Sequence, residues 1–222
     1  MSIKHVLFDN DGTIVDSEIL GARIMLNLLA KHGLHLEERA YNMRFPGLLT
    51  RDILVALEQE EGFKAPAGFL QQIHDEHKAD FNQSLRAIRG MPTLLRNLKV
   101  PKSMVSNGSI QHVEKCLRKV RLRSAIDGLI FSAEQVDKPK PWPDVYLFAL
   151  EKLGLLPRET LVVEDSVTGV LAAKAAGIQV VGFLGAAHIH DGHGQKLWEA
   201  GADFVVPNAR GLAEVLKKKS AF

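Results

Sequence analysis

Two aspartates near the start of the chain have the type and spacing to do chemistry. Asp9 and Asp11 follow the apolar segment Lys4 to Phe8 and are followed at once by a Gly-Thr turn. The segment predicts a short buried strand, and side chains two residues apart point the same way on an extended chain. Open parallel sheets bind ligands at the ends of their strands, so the pair is a candidate ligand site. For this stretch alone, an Asx-rich turn is the alternative.

A second candidate is Ser106-Asn107-Gly108, which ends the mainly apolar segment that begins at Lys102. A hydroxyl and backbone N–H groups in a glycine-containing turn ahead of a helix can cradle an anion. An ordinary helix N-cap is the alternative, because the same residue types favour it.

A third candidate is the lysine- and proline-rich segment from Lys138 to Asp144. Its three prolines stiffen the loop, so a lysine within it is held in place at low entropic cost. A fixed ammonium group suits a phosphate as a point charge. Both Lys138 and Lys140 are candidates, with Lys140 preferred, and a solvated basic loop is the alternative.

Two adjacent carboxylates, Glu164 and Asp165, follow the apolar segment Thr160 to Val163. Burying both without partners would be costly. A helix N-cap explains Asp165 or Ser166 but not the acidic pair. Mg²⁺ takes oxygen ligands from a few carboxylates and keeps some waters, so the pair predicts a magnesium site.

The pattern of elements places these segments together. Beyond residue 90 the chain alternates helix and strand, which predicts an α/β fold with a doubly wound, Rossmann-like, mainly parallel sheet. Every candidate segment then lies at one edge of that sheet. Carboxylates, a lysine and a hydroxyl in one place match what phosphoryl transfer requires, namely charge neutralisation and in-line positioning. A carboxylate can itself be the nucleophile.

Residues 17–85 have a different pattern. Apolar residues recur at helical spacing, and no segment there predicts a strand. We therefore expect an all-helical domain at 17–85, inserted into a core made of residues 1–16 and 86–222.

Four ordered motifs carry a resemblance to a known family. They are Asp9-x-Asp11-Gly-Thr13, Ser106-Asn107, Lys140-Pro-x-Pro-Asp144 and Glu164-Asp165-Ser166. In this order they resemble the haloacid dehalogenase superfamily of phosphohydrolases, and more narrowly its β-phosphoglucomutase-like, sugar-phosphatase branch with a small helical cap. By that resemblance residues 17–85 would be the cap, acting as a lid over the catalytic core. The dehalogenases of that superfamily lack an acid at the position of Asp11, so its presence favours phosphate chemistry.

The resemblance implies a role for each matching residue. Asp9 would be the nucleophile that forms an aspartyl-phosphate, and Asp11 would be the general acid and base. Ser106 and the amide of Asn107 would bind the transferring phosphoryl group, and Lys140 would neutralise its charge.

The same resemblance implies ligands for a metal and a substrate. Mg²⁺ would be held by Asp9, the Asp11 carbonyl, Glu164 and Asp165. The predicted substrate contacts are Thr13, Asn107 and Gly108 in the core and Arg44, Gly47 and Arg51 in the insertion. For Arg51, a surface ion pair with Asp52 or Glu58 is the alternative.

Composition narrows the class of protein. A net charge of +2 gives no case for nucleic acid, and no apolar run is long enough to span a bilayer. The single cysteine, Cys116, excludes an intrachain disulfide and fits a reducing compartment, so we expect a cytoplasmic protein. We also expect a monomer or weak homo-oligomer. The histidines from His188 to His193 are interpreted as a solvated loop rather than a transition-metal site.

The predicted function is that of a Mg²⁺-dependent phosphatase acting on a small phosphorylated metabolite, a sugar or sugar-acid phosphate. One alternative is a β-phosphoglucomutase-type isomerase, which would use the same site. The other is a non-enzymatic phospho-ligand sensor or receiver-like domain, which a helical insertion argues against.

Overall fold

The structure is a computed structural model that describes residues 3–45 and 50–219. The chain divides into two compact units, residues 1–16 with 86–222 and residues 17–85. Among the described residues, no helix has the length and apolar character needed to cross a membrane.

The first unit is built on a six-stranded sheet with the order β3-β2-β1-β4-β5-β6. All neighbouring strands are parallel. The three central strands are buried along their whole length, as expected for a parallel sheet covered on both faces. The predicted doubly wound α/β class is confirmed. The strands are β1 (His5–Phe8), β2 (Lys102–Ser106), β3 (Ile130–Ser132), β4 (Thr160–Glu164), β5 (Gln179–Phe183) and β6 (Phe204–Val206).

Strand order reverses at β1, which lies between β2 and β4. The register pairs Phe8 with Met104 on one side and with Val163 on the other. The residues that follow β1, β2 and β4 therefore emerge side by side at the carboxyl edge of the sheet, which is where this fold class binds ligands.

Helices of the first unit alternate with these strands along the chain, and the helices of the second unit all lie between β1 and β2. In the second unit, helices α1 to α4 bury an apolar core that includes Leu29, Leu57 and Phe69. Helix α2 in that unit and helix α9 in the first unit are not predicted from the sequence. The helices are α1 (Glu18–Lys31), α2 (Glu38–Arg44), α3 (Thr50–Glu61), α4 (Phe69–Ser84), α5 (Met91–Asn97), α6 (Ile110–Lys119), α7 (Asp144–Leu153), α8 (Val167–Ala175), α9 (His193–Glu199) and α10 (Ala209–Lys218).

A short stem in the first unit closes the two ends of the insertion. The Asp16 N–H donates to the Arg86 carbonyl at 3.0 Å, and the Ile88 N–H donates to the Ile14 carbonyl at 3.0 Å. Val15 also forms an antiparallel bridge with residue 87. The chain therefore leaves and re-enters the first unit at adjacent positions.

Candidate active site

The loop after β1 carries the two aspartates at the sheet edge. The Asp9 N–H still belongs to the sheet, since it donates to the Val163 carbonyl at 3.0 Å. Gly12 then turns the chain with a φ of +79°, and a Cβ at this position would overlap the Asp165 carboxylate. Glycine is required here for both reasons: the positive φ, and the close approach of the motif after β4.

Lys140 joins the motifs that follow β1 and β4. Its Nζ donates to Asp9 Oδ1 at 2.7 Å, to Glu164 Oε1 at 2.6 Å and to the Val105 carbonyl at 2.8 Å. The lysine side chain is 3% exposed and that of Glu164 is 0% exposed. Burial alone would lower the pKa of Lys140, but the carboxylates of Asp9 and Glu164 outweigh burial and raise its pKa well above the ordinary value. The ammonium group therefore stays charged.

The Asn107 side chain fixes the backbone of Lys140. The Lys140 N–H donates to Asn107 Oδ1 at 2.9 Å, and Asn107 Nδ2 donates to the Lys140 carbonyl at 3.2 Å. Lys138, the other candidate in this loop, is exposed, and its ammonium lies 4.5 Å from the centroid of the Trp142 ring. The structure thus places Lys140, and not Lys138, beside the aspartates.

Two further groups hold the Glu164 carboxylate. Tyr146, on α7, donates its hydroxyl to Oε1 at 2.9 Å, and Ser166 donates to Oε2 at 3.0 Å. Burial raises the pKa of Tyr146 well above its ordinary value, and the nearby carboxylate adds to the rise, so the phenol remains a donor. A Cβ at Gly169 would overlap this carboxylate, so the first turns of α8 need a glycine there. Sequence reasoning missed both Tyr146 and Gly169.

Asp165 is held by Thr13. The Thr13 hydroxyl donates to Asp165 Oδ1 at 3.1 Å, and Thr13 is fully buried. In this structure Thr13 therefore supports a predicted metal ligand, and its predicted contact with substrate stays a prediction.

The histidine segment after β5 lies against the same aspartate. The Nε2 atom of His193 is 2.6 Å from the Asp165 carbonyl, and Nε2 of His188 is 3.5 Å from its carboxylate. Burial lowers the pKa of His188 to about 4, with smaller contributions from the neighbouring histidines. The interpretation of this segment as a solvated loop is therefore wrong, because two of its rings pack at the site and the third, His190, has a buried Nδ1.

Three carboxylates form a group suited to a hard divalent cation. Oxygen atoms of Asp9, Glu164 and Asp165 all lie within 4.8 Å of one another. Burial raises the pKa of Asp9, opposed by Lys140 and reinforced by Glu164 and Asp11. One ammonium group thus faces more buried negative charge than it can balance, and a cation bound by carboxylate oxygens would balance the rest. The donor set fits Mg²⁺.

Asp11 is more exposed than Asp9, whereas the nearby Ser106 is buried. The Asp11 side chain is 25% exposed, and its Oδ1 is 3.0 Å from Nε2 of His112 on α6. That hydrogen bond, together with one to Cys116, raises the pKa of His112 to about 10. Ser106 Oγ accepts the Gly108 N–H at 2.9 Å. Sequence reasoning did not single out His112.

The predicted contacts in the insertion are occupied within their own unit or lie outside the described residues. Arg44 pairs with Glu60 at 2.6 Å and with Glu61 at 2.8 Å. Arg51 pairs with Asp52 at 3.4 Å, which is the alternative considered for it. Gly47 lies outside the described residues. The substrate contacts of all three stay predictions.

Known proteins match this chain over most of its length. The family model for haloacid dehalogenase-like hydrolases matches residues 6–183. A phosphorylated carbohydrates phosphatase of Thermotoga maritima is 29% identical over 224 residues, which cover 97% of this chain and 99% of that protein. Hexitol phosphatase A of Escherichia coli strain K12 is 34% identical over 185 residues, which cover 82% of this chain and 83% of that protein.

A solved structure matches as well. The crystal structure of a HAD family hydrolase from Deinococcus radiodurans R1, with bound phosphate and sodium, has a TM-score of 0.91 and 33% identity, and the match covers 100% of this chain and 98% of that chain. The chain belongs to the haloacid dehalogenase-like hydrolase family.

Family membership confirms the predicted resemblance and the predicted enzyme class. The chain is a phosphatase of this family rather than a non-enzymatic sensor. Phosphatases of the family use a divalent metal, and the cluster of Asp9, Glu164 and Asp165 is where this chain can bind one.

Proposed function

We propose that this phosphatase hydrolyses the phosphate monoester of a small polyhydroxy metabolite, a sugar or sugar-acid phosphate, through an aspartyl-phosphate and with Mg²⁺. The observation that carries the proposal is the buried bridge from Asp9 through Lys140 to Glu164, with Asp11 and Ser106 beside it. The named relatives support the substrate class, since one acts on phosphorylated carbohydrates and the other on hexitol phosphates.

In the first step, a carboxylate oxygen of Asp9 attacks the phosphorus atom of the ester. A new P–O bond forms to Asp9 while the P–O bond to the substrate alcohol breaks. Asp11 donates a proton to the departing oxygen, so that an alcohol and not an alkoxide leaves. The products of this step are the free alcohol and the aspartyl-phosphate.

In the second step, water attacks the same phosphorus atom. Asp11, now a carboxylate, accepts a proton from the water, and the P–O bond to Asp9 breaks. Asp9 returns to its starting form as a carboxylate, Asp11 is again protonated, and inorganic phosphate is released.

The groups around the phosphoryl position are arranged to bind an anion. Because Ser106 Oγ already accepts the Gly108 N–H, its own proton is left to donate to a phosphoryl oxygen. Lys140 places a fixed positive charge beside the nucleophile. Preorganised donors and charges of this kind stabilise the charge that develops in the transition state.

The metal ligands in this proposal are Asp9, the Asp11 carbonyl, Glu164 and Asp165. When bound, Mg²⁺ supplies positive charge that neutralises the phosphoryl oxygens and offsets the crowding of the three carboxylates. Tyr146, Ser166 and Thr13 orient these ligands through the hydrogen bonds described above.

A substrate screen tests the proposal. Release of inorganic phosphate is measured across a panel of sugar, sugar-alcohol and sugar-acid phosphates, with Mg²⁺ and then with EDTA. We expect hydrolysis of members of this panel with Mg²⁺ and loss of activity with EDTA. Equal activity in EDTA would contradict the metal requirement, and no hydrolysis of any member of the panel would contradict the substrate class.

The same screen separates the isomerase alternative. A phosphomutase uses the same residues but converts one sugar phosphate into its isomer when primed with a sugar bisphosphate. We expect free phosphate and no isomer; isomer formation exceeding phosphate release would favour the mutase.

A further inference from the structure

We propose that His112 is a positioning residue for Asp11. It holds one carboxyl oxygen, Oδ1, so that the other, Oδ2, is the oxygen that exchanges the proton with the leaving alcohol. This inference rests on the proposed acid–base role of Asp11.

The contact itself is short and joins distant parts of the chain. Nε2 of His112 lies 3.0 Å from Asp11 Oδ1, across 101 residues of sequence. Both side chains are partly exposed, at 38% for His112 and 25% for Asp11, so neither is at this position simply to fill the core. Hydrogen bonds that involve a charged partner are shorter and about twice as strong as neutral ones, so this contact can fix a carboxyl orientation.

Helix α6 fixes where the imidazole ring lies. Ser109 is the N-cap of the helix, and its hydroxyl oxygen accepts the His112 N–H at 3.1 Å. One turn further on, the buried Cys116 places its Sγ 3.5 Å from the same Nε2 atom. Val113 and Leu117 are fully buried and anchor the helix to the core. The cap thus fixes the backbone of His112, while Cys116 and the packing of the helix fix the place of its ring.

The glycine of the second motif shows where Oδ2 lies. A Cβ built on Gly108 would lie 3.8 Å from Asp11 Oδ2, 3.3 Å from Ser106 Oγ and 3.2 Å from His112 Cδ2. Asp11 Oδ2, the Ser106 hydroxyl and the His112 ring thus surround one small space that a side chain would narrow. Asp11 Oδ1 contacts His112, and Asp11 Oδ2 is the carboxyl oxygen that faces the Ser106 hydroxyl.

The consequence concerns the first chemical step. A general acid is effective only when its proton lies within hydrogen-bond reach of the departing oxygen. If His112 holds Oδ1, the carboxyl group cannot rotate away, and the proton on Oδ2 stays in line for transfer. Loss of His112 should therefore slow the reaction most when the leaving alcohol needs a proton.

The test compares two leaving groups in variants of His112. For an alkyl sugar phosphate from the substrate panel, we expect His112→Leu to lower kcat/KM about 10- to 100-fold. For 4-nitrophenyl phosphate, whose leaving group departs as a stable anion, we expect a change of less than about threefold. The parameter kcat/KM is used because it reports the steps up to alcohol release.

A rescue experiment distinguishes a role of His112 in positioning Asp11 from a role in packing. The side-chain amide of His112→Gln can reach the place of Nε2 and should recover most of the alkyl-phosphate activity. His112→Asn places its amide nearer the helix and should not, and it replaces the leucine variant in the comparison if that variant does not fold. The matched control is Gln111→Leu, which adds the same side chain at the neighbouring exposed position.

Three results would overturn the inference: equal losses on both substrates, unchanged activity on both, or no rescue by glutamine. A failure of the proposed function would look different, because Asp11→Asn would then remain active on the alkyl phosphate. If Asp11→Asn loses that activity while His112→Leu keeps the wild-type ratio between the two substrates, only the role of His112 is wrong.

Discussion

The two aspartates of the first motif lie two residues apart but in contrasting surroundings. Asp9 belongs to a buried half of the site, with Lys140 and Glu164, where every side chain is at most 12% exposed. Asp11 belongs to a more open half, with His112, where the two side chains are 25% and 38% exposed. Neighbouring carboxyl groups can thus be given different roles by their environments alone.

The contrast fits the division of labour in the proposed reaction. A nucleophile gains from a fixed position and a fixed counter-charge, which the buried half provides. A group that must exchange protons with an alcohol and then with water needs access to both, which the open half provides. Changes in the two halves should therefore produce different kinds of defect.

The largest effect is expected from Asp9→Asn. The amide can keep a hydrogen bond near Lys140 but cannot form the phosphoenzyme, so phosphate release should fall about 10⁴-fold or more. Activity on the best substrate of the panel is the measurement, with circular dichroism as the check on folding. Wild-type turnover in a folded Asp9→Asn protein would remove Asp9 as the nucleophile.

Asp11→Asn tests the open half and should cost about 10²–10⁴-fold on an alkyl phosphate. With 4-nitrophenyl phosphate, Asp9 can still be phosphorylated, but the water of the second step has no base. We therefore expect a burst of 4-nitrophenolate equal to the enzyme concentration, followed by slow turnover. Steady turnover at the wild-type rate, without a burst, would contradict the acid–base assignment.

Lys140→Met tests the buried half through stability. It leaves buried carboxylates without their ammonium partner, and removing one member of a buried ion pair costs about 3–5 kcal/mol of unfolding free energy. The matched control is Lys138→Met in the same loop, where only an exposed contact with a ring is lost and the cost should stay below about 1 kcal/mol. Urea unfolding gives both free energies of unfolding. An equal loss of stability in the two variants would show that the ion pairs of Lys140 do not stabilise the fold more than the exposed contact of Lys138.

The smallest effect is expected from Thr13→Val. This change removes the hydroxyl that orients Asp165, so the Mg²⁺ concentration for half-maximal activity should rise about tenfold. The control is Thr160→Val, another buried threonine, whose hydroxyl donates to the Leu156 carbonyl instead. A shared shift in both variants would mean that general packing, and not the support of Asp165, sets the metal affinity.

Much of the fold is predictable because its signals are local. The alternation of apolar strands and amphipathic helices predicts the class, and the predicted bounds of β2 and β5 agree with the structure. Helices α2 and α9 are not predictable in this way because their sequences, ERAYNMR and HGQKLWE, are mostly polar and carry no apolar stripe. Short helices depend on tertiary packing, as the fully buried Leu197 of α9 shows.

The site likewise contains residues that the sequence predicts and residues that it does not. Its motif residues could be found because each follows a strand, and strand ends of one sheet meet at one edge. His112 and Tyr146 could not, because their partners Asp11 and Glu164 lie 101 and 18 residues away, and only helix phase and packing bring them together. The contacts of His188 and His193 with Asp165 are likewise not predictable, because they too depend on packing. The sequence pattern alone, a run of histidines flanked by glycine, is typical of a solvated loop.

The stem that joins Ile14 to Ile88 and Asp16 to Arg86 has an evolutionary consequence. Because both ends of the insertion meet there, the intervening segment closes a loop, and the entropy of closing a loop changes only slowly with its length. We expect the segment between Asp16 and Arg86 to be exchangeable for a longer, shorter or unrelated one while the sheet keeps its register. The catalytic motifs at the strand ends would then stay unchanged while the segment between these two residues varies.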